Sequence, residues 1–135
     1  MTEFSDQKIA HLQIMQAAIS RMATESARMK QFALASIAAT ASTAAATGTA
    51  HLALAGAVLA LLFWALDARY LAQERWFRAM YDTVRQNDGP ADFVMTPGEE
   101  VRKANTVSDT MLGWSVFPLY AVLIVLNIAI CAAVA

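Results

Sequence analysis

Hydrophobic positions along the chain fall into distinct regimes. Over residues 5–30 they recur at spacings of three and four. Ile9, Leu12, Met15, Ile19, Met22, Ser26 and Met29 then share one helix face. Asp6, Gln7, Gln13, Arg21 and Lys30 fall largely off that stripe. Ser5 is placed to cap this amphipathic helix, and Asp6 to favour its first turn. The stripe either packs on another helix, of this chain or a second copy, or lies in a lipid interface. Four cations diluted by acids favour helix packing.

Residues 31–66 then run for 36 positions without Asp, Glu, Lys or Arg. A single helix of that length reaches about 54 Å, against a hydrocarbon core about 30 Å thick. The run must therefore fold back. Thr47-Gly48-Thr49 is the break, with His51 just beyond. Two membrane spans follow, 30–47 and 51–69, joined by a very short turn. The second is rich in Leu, with Phe63 and Trp64, and suits lipid. The first is different: eight of the fifteen residues Phe32–Ala46 are Ala and four are Ser or Thr. Small residues let helices approach closely. Ala35, Ala39 and Thr43 form one small row, and Ala38, Ser42 and Ala46 another. Ser36, Thr40, Ser42, Thr43 and Thr47 are candidates to pack this span against other helices or to line a pore.

Beyond Leu66 the helix is expected to continue out of the membrane to Arg85, since no Gly or Pro interrupts it. Asp67, Tyr70, Glu74, Phe77 and Tyr81 form one stripe, and Leu71, Arg75, Arg78, Asp82 and Arg85 another. Glu74 and Arg78 make a well-oriented i,i+4 pair. Asn87-Asp88-Gly89-Pro90 ends the helix, and 88–96 is a loop. Thr96-Pro97-Gly98-Glu99 reads as a capping box that opens a short charged helix over 97–109. Met111–Ala135 is apolar and long enough for a third span. Trp114 and Tyr120 suit its interfacial side, Pro118 is a candidate kink, and Asn127 is expected to bond to a neighbouring helix.

Composition sharpens this picture. The 135 residues are 58% hydrophobic and only 16% charged, whereas an ordinary soluble domain is nearer a quarter charged. The uncharged runs 31–66 and 110–135 leave every charge to the rest of the chain. That segregation excludes a disordered chain and a large enzyme domain. The expected fold is all-α: an integral membrane protein with three transmembrane helices and a small cytoplasmic helical bundle. Its parts are a cytoplasmic amphipathic helix (1–30), a transmembrane hairpin (31–69), charged helices and loop (70–110) and the third span (111–135). All ten Lys and Arg fall in 1–30 and 67–109, so the positive-inside rule puts both segments, and the N-terminus, in the cytoplasm. A cleaved signal is not expected, because about 30 acid-containing residues precede the first apolar segment.

Candidate chemistry is sparse. No Walker loop, CxxC, HExxH, nucleophile elbow or dinucleotide fingerprint occurs. The chain is expected to be non-enzymatic and to need no cofactor or metal. His11 and His51 are expected on opposite sides of the membrane, His11 at a surface or helix contact and His51 in the turn. The lone Cys131 reads as a packing residue. Net charge is −1 and the arginines alternate with acids, which excludes nucleic acid as a partner. Asp67 and Glu74, with Tyr70 between, are either salt-bridged by Arg69, Arg75 or Arg78, or form an acidic pore mouth in an oligomer. Met15, Ile19, Met22, Met29, Phe77 and Tyr81 are candidate helix contacts.

The stretch from Phe63 to Asp82 resembles a group of small bacterial membrane proteins. These join a helix like His11–Ala23 to a two-span hairpin and then to this charged helix, a likeness over roughly residues 8–86. More loosely, the plan is similar to SLATT-type effectors, two-span proteins of bacterial conflict and antiphage systems. The resemblance implies an oligomeric pore-forming or membrane-perturbing effector in the bacterial inner membrane. The alternative is a non-catalytic anchor or structural subunit that recruits a protein partner through its cytoplasmic helices. Expected partners are therefore the lipid bilayer, further copies of the chain, and a cytoplasmic protein.

Overall fold

A computed structural model describes residues 2–135, with side chains from Asp6 onward. The chain forms α1 (Thr2–Thr47), α2 (Ala50–Gln86), α3 (Glu99–Ala104), α4 (Val107–Met111) and α5 (Phe117–Val134). The described residues contain no strand.

The amphipathic segment and the first span are one continuous helix. Nothing between Ser26 and Ala33 interrupts the backbone, so α1 runs straight from one regime into the other. It begins at Thr2, which leaves Ser5 inside the helix rather than at its cap. Gly48, at φ +66°, ends α1 in the left-handed conformation that glycine adopts most readily. The Thr49 amide reaches back to the Ala44 carbonyl at 3.2 Å, and the Thr47 and Thr49 hydroxyls are in hydrogen-bond contact at 2.9 Å. The predicted turn is thus where the hairpin closes.

The hairpin stays paired along its length. Ser26 and Lys30 face Asp67, and Thr40 lies against Gly56. At the open end, Lys8 Nζ donates to the carbonyls of Arg85 (3.2 Å) and Asn87 (2.7 Å). Helix α5 packs antiparallel to α2: Trp64 meets Phe117 and Tyr120, and Gly56 meets Asn127. Ala33, Ile37, Ala60, Val116, Tyr120 and Leu123 form the buried centre where the three helices converge.

The connection to α5 departs from expectation. The predicted 97–109 helix is two short helices broken at Asn105 and Thr106. The Thr96 capping box does not form, since α3 starts at Glu99 behind Gly98 with no side-chain cap. The working cap is Thr106, whose Oγ1 accepts from the Asp109 amide at 3.2 Å. Helix α5 starts at Phe117, not Met111, with Pro118 in its first turn, where a missing amide breaks no bond. Pro118 therefore opens the helix and does not kink it. Two indoles of α2 hold the connection in place: Trp64 Nε1 donates to Met111 O at 3.0 Å and Trp76 Nε1 to Asn105 O at 2.8 Å. The Arg102 guanidinium covers the Trp76 ring.

Among the described residues two helices, α2 and α5, are long and apolar enough to cross a membrane. The Ala-rich half of α1 does not reach that apolarity, so composition supports two of the three predicted spans. The apolar stretches are largely uncovered, with 28% of the α2 stretch and 17% of that in α5 buried. Leu54, Val58, Leu61, Leu62, Val122, Val125 and Leu126 are all exposed. A core helix of a soluble protein would bury them.

Candidate functional site: a buried ion pair behind an exposed small-residue face

Asp67 is the first charge after the apolar half of α2 and is fully buried. Its partners come from α1. Lys30 Nζ lies 2.6 Å from Oδ2 and 2.9 Å from Oδ1, and Ser26 Oγ donates to Oδ1 at 2.5 Å. Lys30 Nζ also donates to Ser26 Oγ at 3.0 Å. From α5 the buried Tyr120 hydroxyl faces the carboxylate. A carboxylate away from water is tolerable only when paired and hydrogen-bonded. Lys30 meets that need, with 27% of its side chain exposed.

Glu74, two turns further along α2, is also buried. Arg78 Nε and Nη2 reach its Oε1 at 2.7 and 2.6 Å, so the expected i,i+4 pair is present. Tyr70, between the two acids, is half-buried. In the single chain Asp67 and Glu74 thus turn inward and are each paired with a cation. For Asp67 the cation is Lys30, not one of the arginines of its own helix. Helix register across the hairpin decides this, because Lys30 and Asp67 stand 18 and 19 residues either side of Gly48.

Helix α1 divides the small residues of its second half between two faces. Ala33, Ile37, Ala41 and Ala44 are buried in the chain. Thr40 and Ser36 are half-buried, and Thr40 packs over Gly56 beside Asn127. Ala35, Ala39 and Thr43 are exposed, as are Ala38, Ser42, Ala46 and Thr47. Both small rows read from the sequence therefore point away from the intramolecular contact. Most hydroxyls on this segment are already satisfied along the helix. Ser36 donates to Phe32 O at 2.7 Å, Thr40 to Ile37 O at 2.9 Å, Thr43 to Ala39 O at 2.9 Å and Thr47 to Thr43 O at 2.8 Å. Such groups need no water, so the surface suits close contact with another helix.

In the charged half, Met15 and Ile19 are buried, and Met22, Met29, Phe77 and Tyr81 are half-buried. The stripe turns largely inward; Ile9, 49% exposed, departs from it. His11 is fully buried, with its ring 5.1 Å from that of Phe93 and Nδ1 3.9 Å from Asp92 Oδ1. Neither ring nitrogen has a hydrogen-bond partner. His51 is exposed at the opposite end. Among the described residues no group of His, Cys, Asp and Glu is arranged to hold a metal ion.

Sequence reasoning missed Lys30 and Ser26 as partners of Asp67, and it missed Gly56. It placed Tyr120 at an interface, whereas the ring is buried between helices. Asn127 does meet a neighbouring helix, at Gly56, but its amide nitrogen bonds back to Leu123 O at 2.9 Å. The signal for the ion pair was available: the last cation before the long uncharged run and the first anion after it are nearly equidistant from the turn.

Comparison with known protein families, curated proteins and solved structures finds no match to this chain.

Proposed function

We propose that the chain is a small bacterial inner-membrane protein whose copies associate through the exposed small-residue face of α1 and perturb the membrane. The observation that carries this reading is the face itself. Ala35, Ala38, Ala39, Ser42, Thr43 and Ala46 are exposed at the depth where α2 and α5 present Leu, Val and Ile. Alanine, serine and threonine gain little from lipid, but they let helix backbones approach closely.

Helix lengths support three spans. From Lys30 to Thr47, from Ala50 to Asp67 and from Phe117 to Val134 each helix rises about 26 Å, close to the apolar thickness of a bilayer. In this slab the uncharged half of α1 travels beside α2 and α5. All Lys and Arg sit beyond its open end, which the positive-inside rule puts in the cytoplasm with the N-terminus. Asp67 and Glu74, buried and paired, serve as internal ties in the resting chain, and an acidic mouth would need those ties to open. The loose similarity to SLATT-type effectors suggests the context, defence against phage with depolarisation as the outcome.

A voltage-sensitive dye in bacteria expressing the chain with its native neighbouring genes tests this, before and after phage challenge. Depolarisation that follows challenge and is lost in Ala39→Leu and Thr43→Leu is expected. An unchanged potential, with the protein confirmed in the membrane, would overturn the reading. That result would favour an anchor that holds a protein partner, a role supported by Ile9, Ile14, Phe93 and Val94 exposed in the charged half.

A further inference from the structure

We propose that the outward face of α2, just beyond the apolar slab, binds the headgroup of an anionic phospholipid with Arg69 as the anion-binding group. This inference rests on the membrane reading above. Leu66, Arg69, Tyr70 and Gln73 line a groove of about 270 Å³. Their spacing of three and four puts them on one helix face, and exposed Leu62 continues that face into the slab. The groove is therefore apolar at one end and polar at the other, as a phospholipid is. An acyl chain lies along Leu62 and Leu66, and the phosphate meets the guanidinium, with the Tyr70 hydroxyl and Gln73 amide within the same groove.

Arg69 is available for this role. Arg28, Arg78 and Arg85 each pair with a carboxylate on their own helix. Arg69 is exposed and has no ion pair or side-chain hydrogen bond among the described residues. The nearest acids on α2 do not compete for it, because Asp67 is held by Lys30 and Glu74 by Arg78. Depth fits as well. Two residues beyond Asp67 is a rise of about 3 Å, which carries the guanidinium out of the apolar layer to the headgroups. A guanidinium fork matches two phosphate oxygens at once. The apolar half of the groove selects a lipid over a free anion.

Native mass spectrometry of the detergent-purified, delipidated chain tests the proposal. The probes are phosphatidylglycerol and phosphatidylcholine of identical acyl chains, and inorganic phosphate. One phosphatidylglycerol should be retained at a concentration roughly fivefold lower than phosphatidylcholine requires. Arg69→Gln should remove that preference and Arg69→Lys retain part of it. Arg85→Gln, near the far end of α2, should leave it intact. Equal retention of the two lipids, or an unchanged preference in Arg69→Gln, would overturn the proposal. So would displacement of phosphatidylglycerol by millimolar inorganic phosphate. Flotation with pure phosphatidylcholine vesicles separates the two levels of inference. A chain that fails to float overturns the membrane reading as well, whereas one that floats without lipid preference overturns this site alone.

Discussion

Removing the Lys30 ammonium should damage the fold more than neutralising Asp67, although the two groups form one ion pair. In Lys30→Met the fully buried carboxylate keeps only the Ser26 hydroxyl at 2.5 Å, with Tyr120 facing it. Stranding a buried charge in this way costs about 3–5 kcal/mol. The Lys30 side chain is 27% exposed, so its loss lets water approach the site and places the cost near the lower end, about 3 kcal/mol. In Asp67→Asn the amide oxygen still accepts from Ser26, and the lysine, already 27% exposed, can extend into water. That loss should be about 1 kcal/mol, the worth of an ordinary hydrogen bond. The double variant Lys30→Met/Asp67→Leu should lie within about 1 kcal/mol of wild type, since replacing a whole buried pair with apolar groups is often neutral. Reversible denaturation in mixed micelles, followed by tryptophan fluorescence, reads all three. Equal losses below about 0.5 kcal/mol in both single variants would refute the reasoning, because that is how a solvated surface pair behaves.

Gly56→Ala should destabilise the chain by about 1–3 kcal/mol, because the added methyl meets the Asn127 carboxamide oxygen and Thr40 Oγ1 and forces these side chains to shift; Gly98→Ala, with nothing near the new carbon, is the matched control in the same denaturation series. Gly48→Ala should cost about 1 kcal/mol even though the turn has open space, since φ +66° is strained for any residue with a Cβ. His11→Leu should be neutral or stabilising in thermal unfolding, because a buried imidazole with neither nitrogen bonded gives up no hydrogen bond; a loss above about 2 kcal/mol would show that the ring makes a polar contact after all. Thr43→Leu should leave monomer stability unchanged, as the residue is exposed, and should lower only the fraction of associated chains on blue native gels.

The hairpin was legible in the sequence because its signals are local. An uncharged run too long for one span, with Thr-Gly-Thr near its middle, has one simple solution, and Gly48 adopts it. The inward Met and Ile stripe was legible for the same reason, since a period of 3.6 is a property of one helix. What sits opposite what was harder. That Asp67 meets Lys30 rather than Arg69, and that Tyr120 turns into the core, depend on register between helices far apart in sequence. The capping box at Thr96 failed where a second candidate, Thr106 with Asp109 three residues later, succeeded. Helix α5 begins where Pro118 can occupy a first turn, a position that an apolar run starting at Met111 conceals. Within the candidate site, the two small rows on α1 were visible as spacing, but only packing could show that both are left uncovered.

The central claim, that copies of the chain meet through this face of α1, is tested most directly by single-cysteine cross-linking in native membranes. A Cys131→Ser background removes the one natural thiol, and cysteines are placed in turn at Ala35, Ala39, Thr43, Ile37, Ala41 and Ala44. The account predicts cross-linked dimers from the first three, exposed positions and none from the last three, which are buried against the chain's own helices. Absence of dimers at every position, or equal yields at exposed and buried positions, would contradict it.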